Sequence, residues 1–339
     1  MADHSHMITT YAKPIHFALR NRITNNANPS APPYKRSDGR VGKLVIVDDR
    51  GEVQFPWGVA LNIMDWCPLA QTGTVAGKLQ RRIMRTGYVL PVNAAIAGAL
   101  LSEIYTTTSA AGSNDPRLRL KYRSSPIADF GICHGAVSVA PSDRLLFYSL
   151  GRQKIVDGQD PDNHYWLYFT SLKGEEVYLD CCMHPFNLAQ LIRTVGYPPP
   201  QLEVTNIGVS PCHWTERQLL KRNLSIYTER SRMSFLHNST LQEVMKRSVD
   251  RWSERDMSAF YGAVESLSEK PFPTPEKELL GKMLRLHCKN LGTVFETEQW
   301  KRYPRDPDIA FELDPGQKIA GLNEKTHPST LFISETRTA

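Results

Sequence analysis

One segment near the middle of the chain, from His164 to Asp180, carries the residue types that acid–base chemistry needs. Its aromatic and β-branched residues flank Ser-Leu-Lys-Gly, a pattern that predicts a β-hairpin. If the turn is centred on Leu172, His164 and Asp180 lie directly opposite each other, with Cβ atoms about 4.5–5.5 Å apart. A carboxylate beside an imidazole fixes the tautomer of the ring and stabilises the imidazolium that proton uptake creates. The pair is therefore a candidate general base with its orienting acid.

The same register defines two faces of the hairpin. It pairs Trp166 with Tyr178, and Tyr168 with Glu176, on the face that carries the candidate pair. The opposite face is expected to pack against the core because it collects Tyr165, Leu167, Phe169, Val177, Leu179 and Cys181. Trp166 and Tyr178 are accordingly the candidate substrate-binding residues, with Trp166 shaping the pocket.

A nucleophile for this pair would come from a cysteine elsewhere in the chain. Cys67, in Asp-Trp-Cys-Pro-Leu-Ala, precedes a helical pattern that starts near Thr74. A thiol near a helix start gains thiolate character from the helix dipole. Cys133, in Gly-Ile-Cys-His-Gly, is the second candidate because it precedes a strand of the same predicted sheet. The catalytic hypothesis assigns Cys67 as nucleophile, His164 as general base and Asp180 as orienter.

The hairpin resembles a known enzyme superfamily. His-x-Trp-Leu, a Gly turn, and Leu-Asp followed shortly by Phe-Asn look like the His/Asp hairpin of transglutaminase-like and papain-like cysteine enzymes. The resemblance implies a cysteine at a helix N-terminus, a sheet carrying His and then Asp, and acyl transfer to or hydrolysis of an amide or thioester. It matches His164 and Asp180 in this chain, and it matches Cys67 by order and context. The expected partner of such an enzyme is a protein or peptide substrate, and no cofactor is expected.

A wider resemblance is to uncharacterised proteins of mushroom-forming fungi. It is carried by HYWLYFTSLKGEEVYLDCCMHPFN, which begins at His164, and by the later LGTVFETEQWKRYP. Some of those proteins are associated with MYND zinc fingers. This sequence has no Cys-x-x-Cys pair, so a structural zinc finger is not expected. The resemblance implies no established activity.

Each of these candidate catalytic residues also has a purely structural interpretation. A histidine and an aspartate that face each other on a hairpin also form a purely structural hydrogen-bonded pair. A thiol between Trp66 and Pro68 also suits a small buried hydrophobic residue. Cys181, Cys182 and His184 suggest a metal, but no distant pair of residues has ligand spacing, so no metal site is predicted.

The composition limits the classes of protein to which this chain can belong. Hydrophobic residues make up 41% of the chain and charged residues 22%, with a net charge of +6, which is typical of a globular protein. No apolar run is long enough for a membrane-spanning helix, and the start of the chain lacks the apolar core of a secretory signal. The six cysteines show no disulfide-framework spacing. These features predict an intracellular protein, cytoplasmic or nuclear, that does not engage a membrane.

The element pattern predicts an α+β fold, with an antiparallel sheet of about five strands packed by helices and a helical C-terminal segment. Residues 1–40 end in Asn-, Pro- and Ser-rich sequence, which is typical of a disordered arm. Residues 41–200 are expected to form the core. Within it, residues 118–182 are rich in strands, and their short turns favour an antiparallel meander. Residues 201–302 are predicted to be helical, and residues 303–339 to be a polar tail.

Basic residues cluster at Lys78–Arg85, Arg117–Arg123 and Arg217–Arg232. In the last cluster Tyr227 lies among the cations, and such an aromatic can stack a base while cations hold phosphates. A solvated helix face is the plainer interpretation, and no RNA-binding signature is present. The clusters nevertheless support an alternative function: a non-enzymatic interaction protein that holds a protein or nucleic-acid partner through its basic helical half.

Overall fold

The computed structural model describes most of the chain, and within it the fold is α+β as predicted. Three β-sheets and several helices make up the described part, and the largest sheet has six strands. The described residues are 16–51, 62–104, 120–122, 124–193, 207–221, 225–268, 271–302, 309–312 and 314.

The main sheet is entirely antiparallel. Its strands are β4 (Lys121–Tyr122), β5 (Ser125–Val137), β8 (His164–Ser171), β9 (Glu176–Asp180), β12 (Cys212–Thr215) and β13 (Tyr227–Ser234). Their spatial order is β12-β9-β8-β5-β13, and β4 pairs with β5. The helical prediction is therefore wrong for the first part of residues 201–302, because β12 and β13 pair with β9 and β5 and complete the sheet. Helices dominate the segment only after β13.

A second sheet contains one parallel pair. It consists of β1 (Arg22–Ile23), β2 (Tyr34–Lys35), β3 (Val41–Asp48), β6 (Leu145–Ser149) and β7 (Lys154–Asp157). β3 and β6 run parallel, with Val47 beside Ser149. The predicted meander is wrong at this point, because β6 pairs with the distant β3 and belongs to a different sheet from β8 and β9. The carboxyl ends of β3 and β6 consequently lie side by side.

Residues 16–40 belong to the ordered body, so the predicted arm is wrong for them; residues 1–15 lie outside the described residues. The backbone carbonyl of Ala18, in helix α1 (Phe17–Arg20), accepts a hydrogen bond from Trp66 Nε1 at 2.9 Å. The buried Lys43 ammonium donates to three carbonyls of this segment, Asn28, Pro29 and Ala31, at 2.8, 2.8 and 2.6 Å. A polar segment becomes ordered here because its carbonyls satisfy a buried cation.

A third sheet ties the predicted tail to the body. It contains β10 (Gln190–Arg193), β11 (Ile207–Ser210) and β14 (Ile309–Phe311), in the order β11-β10-β14. Just after β14, the Lys78 ammonium donates to the Glu312 carbonyl at 2.9 Å and to Asp314 Oδ1 at 3.0 Å. Residues 309–312 and 314 are thus fixed by pairing and charge, and residues 315–339 lie outside the described residues.

The remaining helices are α2 (Ile63–Trp66), α3 (Gly73–Met84), α4 (Val89–Glu103), α5 (Glu216–Lys221), α6 (Ser239–Met245), α7 (Glu254–Ser268) and α8 (Thr274–Glu296). The main core lies between one face of the main sheet and four of them, α4, α6, α7 and α8, whereas α2 and α3 pack in a second cluster. Helix α4 is apolar and buried almost all round. Its Gly98 faces Leu284 of α8 and Phe260 of α7, so a small residue lets the three helices pack closely. Two polar residues also lie in this helical layer, His287 and Asp256, each less than a tenth exposed.

Within the described ranges, no single helix is long and apolar enough to cross a membrane. Helices α3 and α4 would meet that criterion only when taken together, by length and composition, and they are bent by 71° relative to each other. Helix α4 is buried among α6, α7, α8 and the sheet, which accounts for its apolar composition.

Candidate functional site

The hairpin of β8 and β9 turns one residue later than the sequence analysis predicts. Tyr168 faces Tyr178, which centres the turn on Lys173 and not on Leu172. Gly174 has a φ of +76°, the left-handed conformation that a three-residue hairpin loop needs at its last position. The strand pairing is therefore shifted by two residues from the predicted register.

A shift of two residues leaves every side chain on its predicted face, because side chains alternate with a period of two. In this register Trp166 faces Asp180, so the predicted oppositions of His164 with Asp180 and of Trp166 with Tyr178 are wrong. The contact between the candidate base and acid nevertheless forms on the diagonal: His164 Nε2 lies 2.7 Å from Asp180 Oδ2. The predicted core face is confirmed in the main core cluster by Tyr165, Leu167, Phe169, Leu179 and Cys181.

The His164–Asp180 pair is enclosed by protein on all sides. Both side chains are 0% exposed. Asp180 also accepts a hydrogen bond from the Cys182 backbone N–H at 2.8 Å and one from the Tyr227 hydroxyl at 3.2 Å. An ionised carboxylate only accepts, so His164 Nε2 is the donor. Three donors on one carboxylate offset the cost of burying it, and the pair therefore joins β8, β9 and β13 below the surface.

The second nitrogen of the His164 ring is where a nucleophile would be expected. In a catalytic triad one nitrogen holds the carboxylate and the other faces the nucleophile. Here Nδ1 is buried and has no hydrogen-bond partner among the described residues. The ring packs instead beside Phe186, with centroids 5.6 Å apart, and beside Trp166, at 6.3 Å. The pair therefore has the orienting half of a triad without a bonded nucleophile.

The main sheet curls so strongly that its outermost strand folds over the pair. Tyr227 in β13 stacks on Trp166 in β8 with centroids 4.6 Å apart, although β5 lies between these strands. Glycines in β5 permit this approach: a Cβ on Gly131 would lie 1.9 Å from Met233 O, and one on Gly135 would lie 2.1 Å from Thr228 O. The sheet therefore has a concave face, filled by an aromatic cluster of Cys133, Trp166, Tyr168, Tyr178 and Tyr227.

Charged residues close the rim of this concave face. The Arg232 guanidinium lies 4.6 Å from the centre of the Tyr168 ring. It also pairs with Glu176 at 2.7 Å and with Glu229 at 2.6 Å. Trp166 is only 1% exposed beneath this rim, and Tyr178 is half-buried with its hydroxyl on Glu176. The two candidate substrate-binding residues therefore fill the concave face.

Cys67 lies away from the concave face. It is the C-cap of α2, whereas α3 begins later, at Gly73, with Thr72 as its N-cap. The expected position at a helix N-terminus is therefore wrong. Cys67 is 1% exposed and packs in a separate cluster with Trp66. Burial raises the pKa of its thiol, which opposes thiolate formation.

Two other thiols, those of Cys133 and Cys212, lie on strands of the same sheet as the pair. Cys133 stands opposite Trp166 on β5, and its Sγ contacts Glu229 Oε2 at 3.4 Å. Cys212 stands opposite Asp180 on β12, and its Sγ contacts the Leu188 carbonyl at 3.6 Å. Burial, then the nearby carboxylate, raises the pKa of each thiol. The alternation of buried and exposed residues in Cys-His-Trp-Thr, from Cys212 to Thr215, is the sequence signal that predicts strand β12.

No metal site forms among the described residues, where no group of three or more potential ligands comes together. Cys181 packs against the main core, and Cys182 is buried with it. His184 is 4% exposed, and both of its ring nitrogens have no hydrogen-bond partner in the described part of the chain. Burial, followed by the charges of Arg85, Arg81, Arg82 and Lys78, lowers the pKa of His184 well below its usual value. A neutral imidazole beside that basic cluster is a packing residue.

Of the three basic clusters noted in the sequence, the first, Lys78–Arg85, serves the interior. Lys78, Arg82 and Arg85 of α3 are each less than a tenth exposed. The Arg82 guanidinium donates to the carbonyls of Pro185, at 3.0 Å, and Asp143, at 2.6 Å. In the third cluster, Arg232 belongs to the rim, and much of the second cluster lies outside the described residues. Distant carbonyls and acids therefore surround the buried cations of α3.

An exposed basic surface does occur on α8. Lys282, Arg285 and Lys289 are exposed, and Leu286 among them is 36% exposed. The opposite side of the helix buries Leu280, Met283, Leu284 and His287. Among the described residues none of the three cations forms an ion pair at contact distance. We call Lys282, Arg285, Leu286 and Lys289 the α8 face.

The comparisons with known proteins identify no relative of this chain. No protein-family model matches this chain, no curated protein matches it, and no solved structure matches it. The resemblances to transglutaminase-like enzymes and to fungal proteins therefore stay predictions. Only the residues of the chain itself therefore bear on its function.

Proposed function

We propose that this chain is a non-enzymatic interaction protein that binds an acidic protein partner through the α8 face. The observation that carries the proposal is the row of Lys282, Arg285 and Lys289, exposed on one side of a helix whose other side is core. This row is the basic surface that the alternative function requires.

The spacing of the row supports a binding role. Residues three and four apart on a helix are neighbours, and seven residues rise about 10.5 Å. Lys282 and Arg285, and then Arg285 and Lys289, are therefore adjacent cations. Like charges at these spacings destabilise a helix by about 0.2–0.5 kcal/mol a pair. Glu278, four residues before Lys282, is a helical neighbour of that lysine alone. Arg285 and Lys289 have no acidic side chain three or four residues away on α8, so an acidic partner would relieve the repulsion between these two cations.

The chemistry of the α8 face favours a protein over a nucleic acid. Leu286 lies among the three cations and is one of the few exposed large hydrophobic residues in the described ranges. An apolar anchor ringed by charge is the usual anatomy of a protein interface. Binding of single-stranded nucleic acid draws instead on exposed aromatic rings, and the α8 face has none.

The cysteine-enzyme hypothesis, with Cys67, His164 and Asp180, has one observation in its favour, the 2.7 Å contact between His164 and Asp180. Three features weigh against it. The pair is fully buried, Cys67 packs in another cluster, and burial raises the pKa of Cys67, Cys133 and Cys212. The pair is better understood as a clamp that holds the curled sheet.

Reversing the charge of the α8 face tests the proposal. We expect the full chain to bind a fluorescein-labelled peptide of alternating glutamate and leucine, with an affinity that falls as salt rises. The triple variant Lys282→Glu, Arg285→Glu, Lys289→Glu should weaken binding about tenfold or more, because complementary charges become repulsive. Fluorescence anisotropy at low and high salt measures both effects.

The matched control reverses three exposed lysines elsewhere, Lys35, Lys154 and Lys173, and so changes the net charge by the same amount. This variant should retain the affinity of the wild type. Equal weakening in both variants would mean that the α8 face has no special role. Tighter binding of labelled poly(U) than of the peptide, lost in the α8 variant, would assign the face to nucleic acid, and no binding of either probe would also refute the proposal.

A further inference from the structure

A cleft opens where the two parallel strands end. Its volume is about 670 Å³, within the roughly 300–1,000 Å³ of small-molecule sites. It lies between helix α1, the residues that follow β3 and the turn that follows β6. Its lining residues are Phe17, Arg20, Asn21, Asp49, Arg50, Gly51, Gly151 and Arg152. We call it the arginine cleft.

The position of the cleft follows from the strand pairing. β3 and β6 are parallel, so their carboxyl ends meet at the same edge, with Val47 beside Ser149. The loops that follow two adjacent parallel strands leave from the same edge, and in α/β sheets ligands bind outside the carboxyl ends of the strands. The described part of this sheet has one parallel pair, and the arginine cleft lies at its carboxyl edge.

The walls of the cleft are held rigid by Asp49. Its carboxylate accepts hydrogen bonds from Ser149 Oγ at 2.6 Å and from the Gly151 backbone N–H at 2.7 Å. Ser149 Oγ in turn accepts from the Arg152 backbone N–H at 3.0 Å. Gly151 has to be small, because a Cβ there would lie 2.8 Å from the Asp49 carbonyl. One carboxylate thus ties the two loops together.

The side chains that line the cleft include three arginines, Arg20, Arg50 and Arg152, and one aspartate, Asp49. Arg50 pairs with Asp48 at 2.8 Å. Arg152 lies over the Phe17 ring, 5.5 Å from its centre, and near the charge of Asp49. Neither Arg20 nor Arg152 forms an ion pair at contact distance within the described residues. Guanidinium groups offer planar forks that match phosphate oxygens.

We propose that the arginine cleft binds a small phosphate-bearing ligand of about nucleotide size, with the phosphate between Arg20 and Arg152. Phe17 supplies an apolar wall beside them. The cleft is separate from the α8 face, so this inference stands whether or not the proposed function is right.

Titration with ADP and with inorganic pyrophosphate tests the cleft. Isothermal titration calorimetry of the full chain at low salt should detect saturable binding of at least one of the two. Arg20→Ala and Arg152→Ala should each weaken it about tenfold or more, since each removes charge-assisted hydrogen bonds. Tighter binding of ADP would identify a nucleotide site, and equal binding a site for the phosphate group alone.

Lys154→Ala is the matched control. It removes the same charge from an exposed residue two positions beyond Arg152 that does not line the cleft, and it should leave the affinity unchanged. Thermal unfolding should give the same midpoint for all three variants and the wild type. No saturable heat with either ligand, equal weakening by Lys154→Ala, or citrate binding as tightly as pyrophosphate would each overturn the proposal.

Discussion

Replacing Asp180 with alanine is expected to lower the free energy of unfolding by about 3–5 kcal/mol, because each buried donor left without an acceptor costs about 1–3 kcal/mol. Three donors lose their acceptor at once: His164 Nε2, the Cys182 N–H and the Tyr227 hydroxyl. None of them has solvent in reach to replace it, because the pair is fully buried. A domain is stable by only about 5–15 kcal/mol, so the effect should be plain in urea unfolding followed by fluorescence.

Two further variants serve as controls for the effect of Asp180→Ala. Asp162→Ala removes an exposed carboxylate just before β8 and should change the free energy of unfolding by less than about 0.5 kcal/mol. Asp180→Asn keeps an oxygen for the Cys182 N–H and should fall between the two alanine variants. If Asp180→Ala costs less than about 1 kcal/mol, the clamp interpretation is wrong, since a surface carboxylate would do the same.

Gly131→Ala should be comparably damaging, although it adds a single methyl group. The new Cβ would lie 1.9 Å from the Met233 carbonyl oxygen, which belongs to the backbone of β13 and cannot rotate away. Overpacking usually costs about 1–3 kcal/mol, and a clash with backbone belongs at or above the upper end of that range. β13 should separate locally from β5 near Ser234, which would loosen the Arg232 contact with the Tyr168 ring and change the near-ultraviolet circular dichroism.

Gly262→Ala provides the control for the same substitution. Gly262 lies inside α7, and an added Cβ would have nothing within 4 Å. Alanine is a better helix former than glycine, so this variant should gain about 0.5–1 kcal/mol of stability. The two Gly→Ala changes therefore have opposite expected signs. Equal effects in urea unfolding would mean that β13 does not approach β5 as closely as described.

Much of the fold followed from periodicity. The hairpin face with Tyr165, Leu167 and Phe169 was predicted because burial on one side imposes a period of two on a strand. The register of the hairpin was not predictable in this way. A shift of two residues leaves the face pattern unchanged, so the left-handed Gly174 decided it.

The other features of the fold and of the site could not be predicted, because they depend on contacts with residues that are distant in the sequence. Local sequence made Cys67 look like a residue at a helix start, but a short helix ends there and packs under residues 16–40. The cations of α3 are neighbours in the sequence, but their partners are not: the carbonyls of Asp143 and Pro185 accept hydrogen bonds from Arg82. The parallel pairing of β3 with β6 joins segments that have α2, α3, α4, β4 and β5 between them in the described chain, and no local sequence pattern predicts it.

The reactivity of the six cysteines tests the central claim, that the His164–Asp180 pair is a clamp and not part of a cysteine enzyme. Burial raises the pKa of Cys67, Cys133 and Cys212, so at any pH each holds less thiolate than a free thiol of pKa about 8.5. The measurement is the rate of iodoacetamide labelling at each cysteine from neutral to alkaline pH, read by mass spectrometry. We expect every site in the folded chain to react more slowly than free cysteine at neutral pH, with no site accelerated by His164. One thiol that reacts rapidly near neutral pH, and loses that reactivity in His164→Ala while the chain stays folded, would contradict the account.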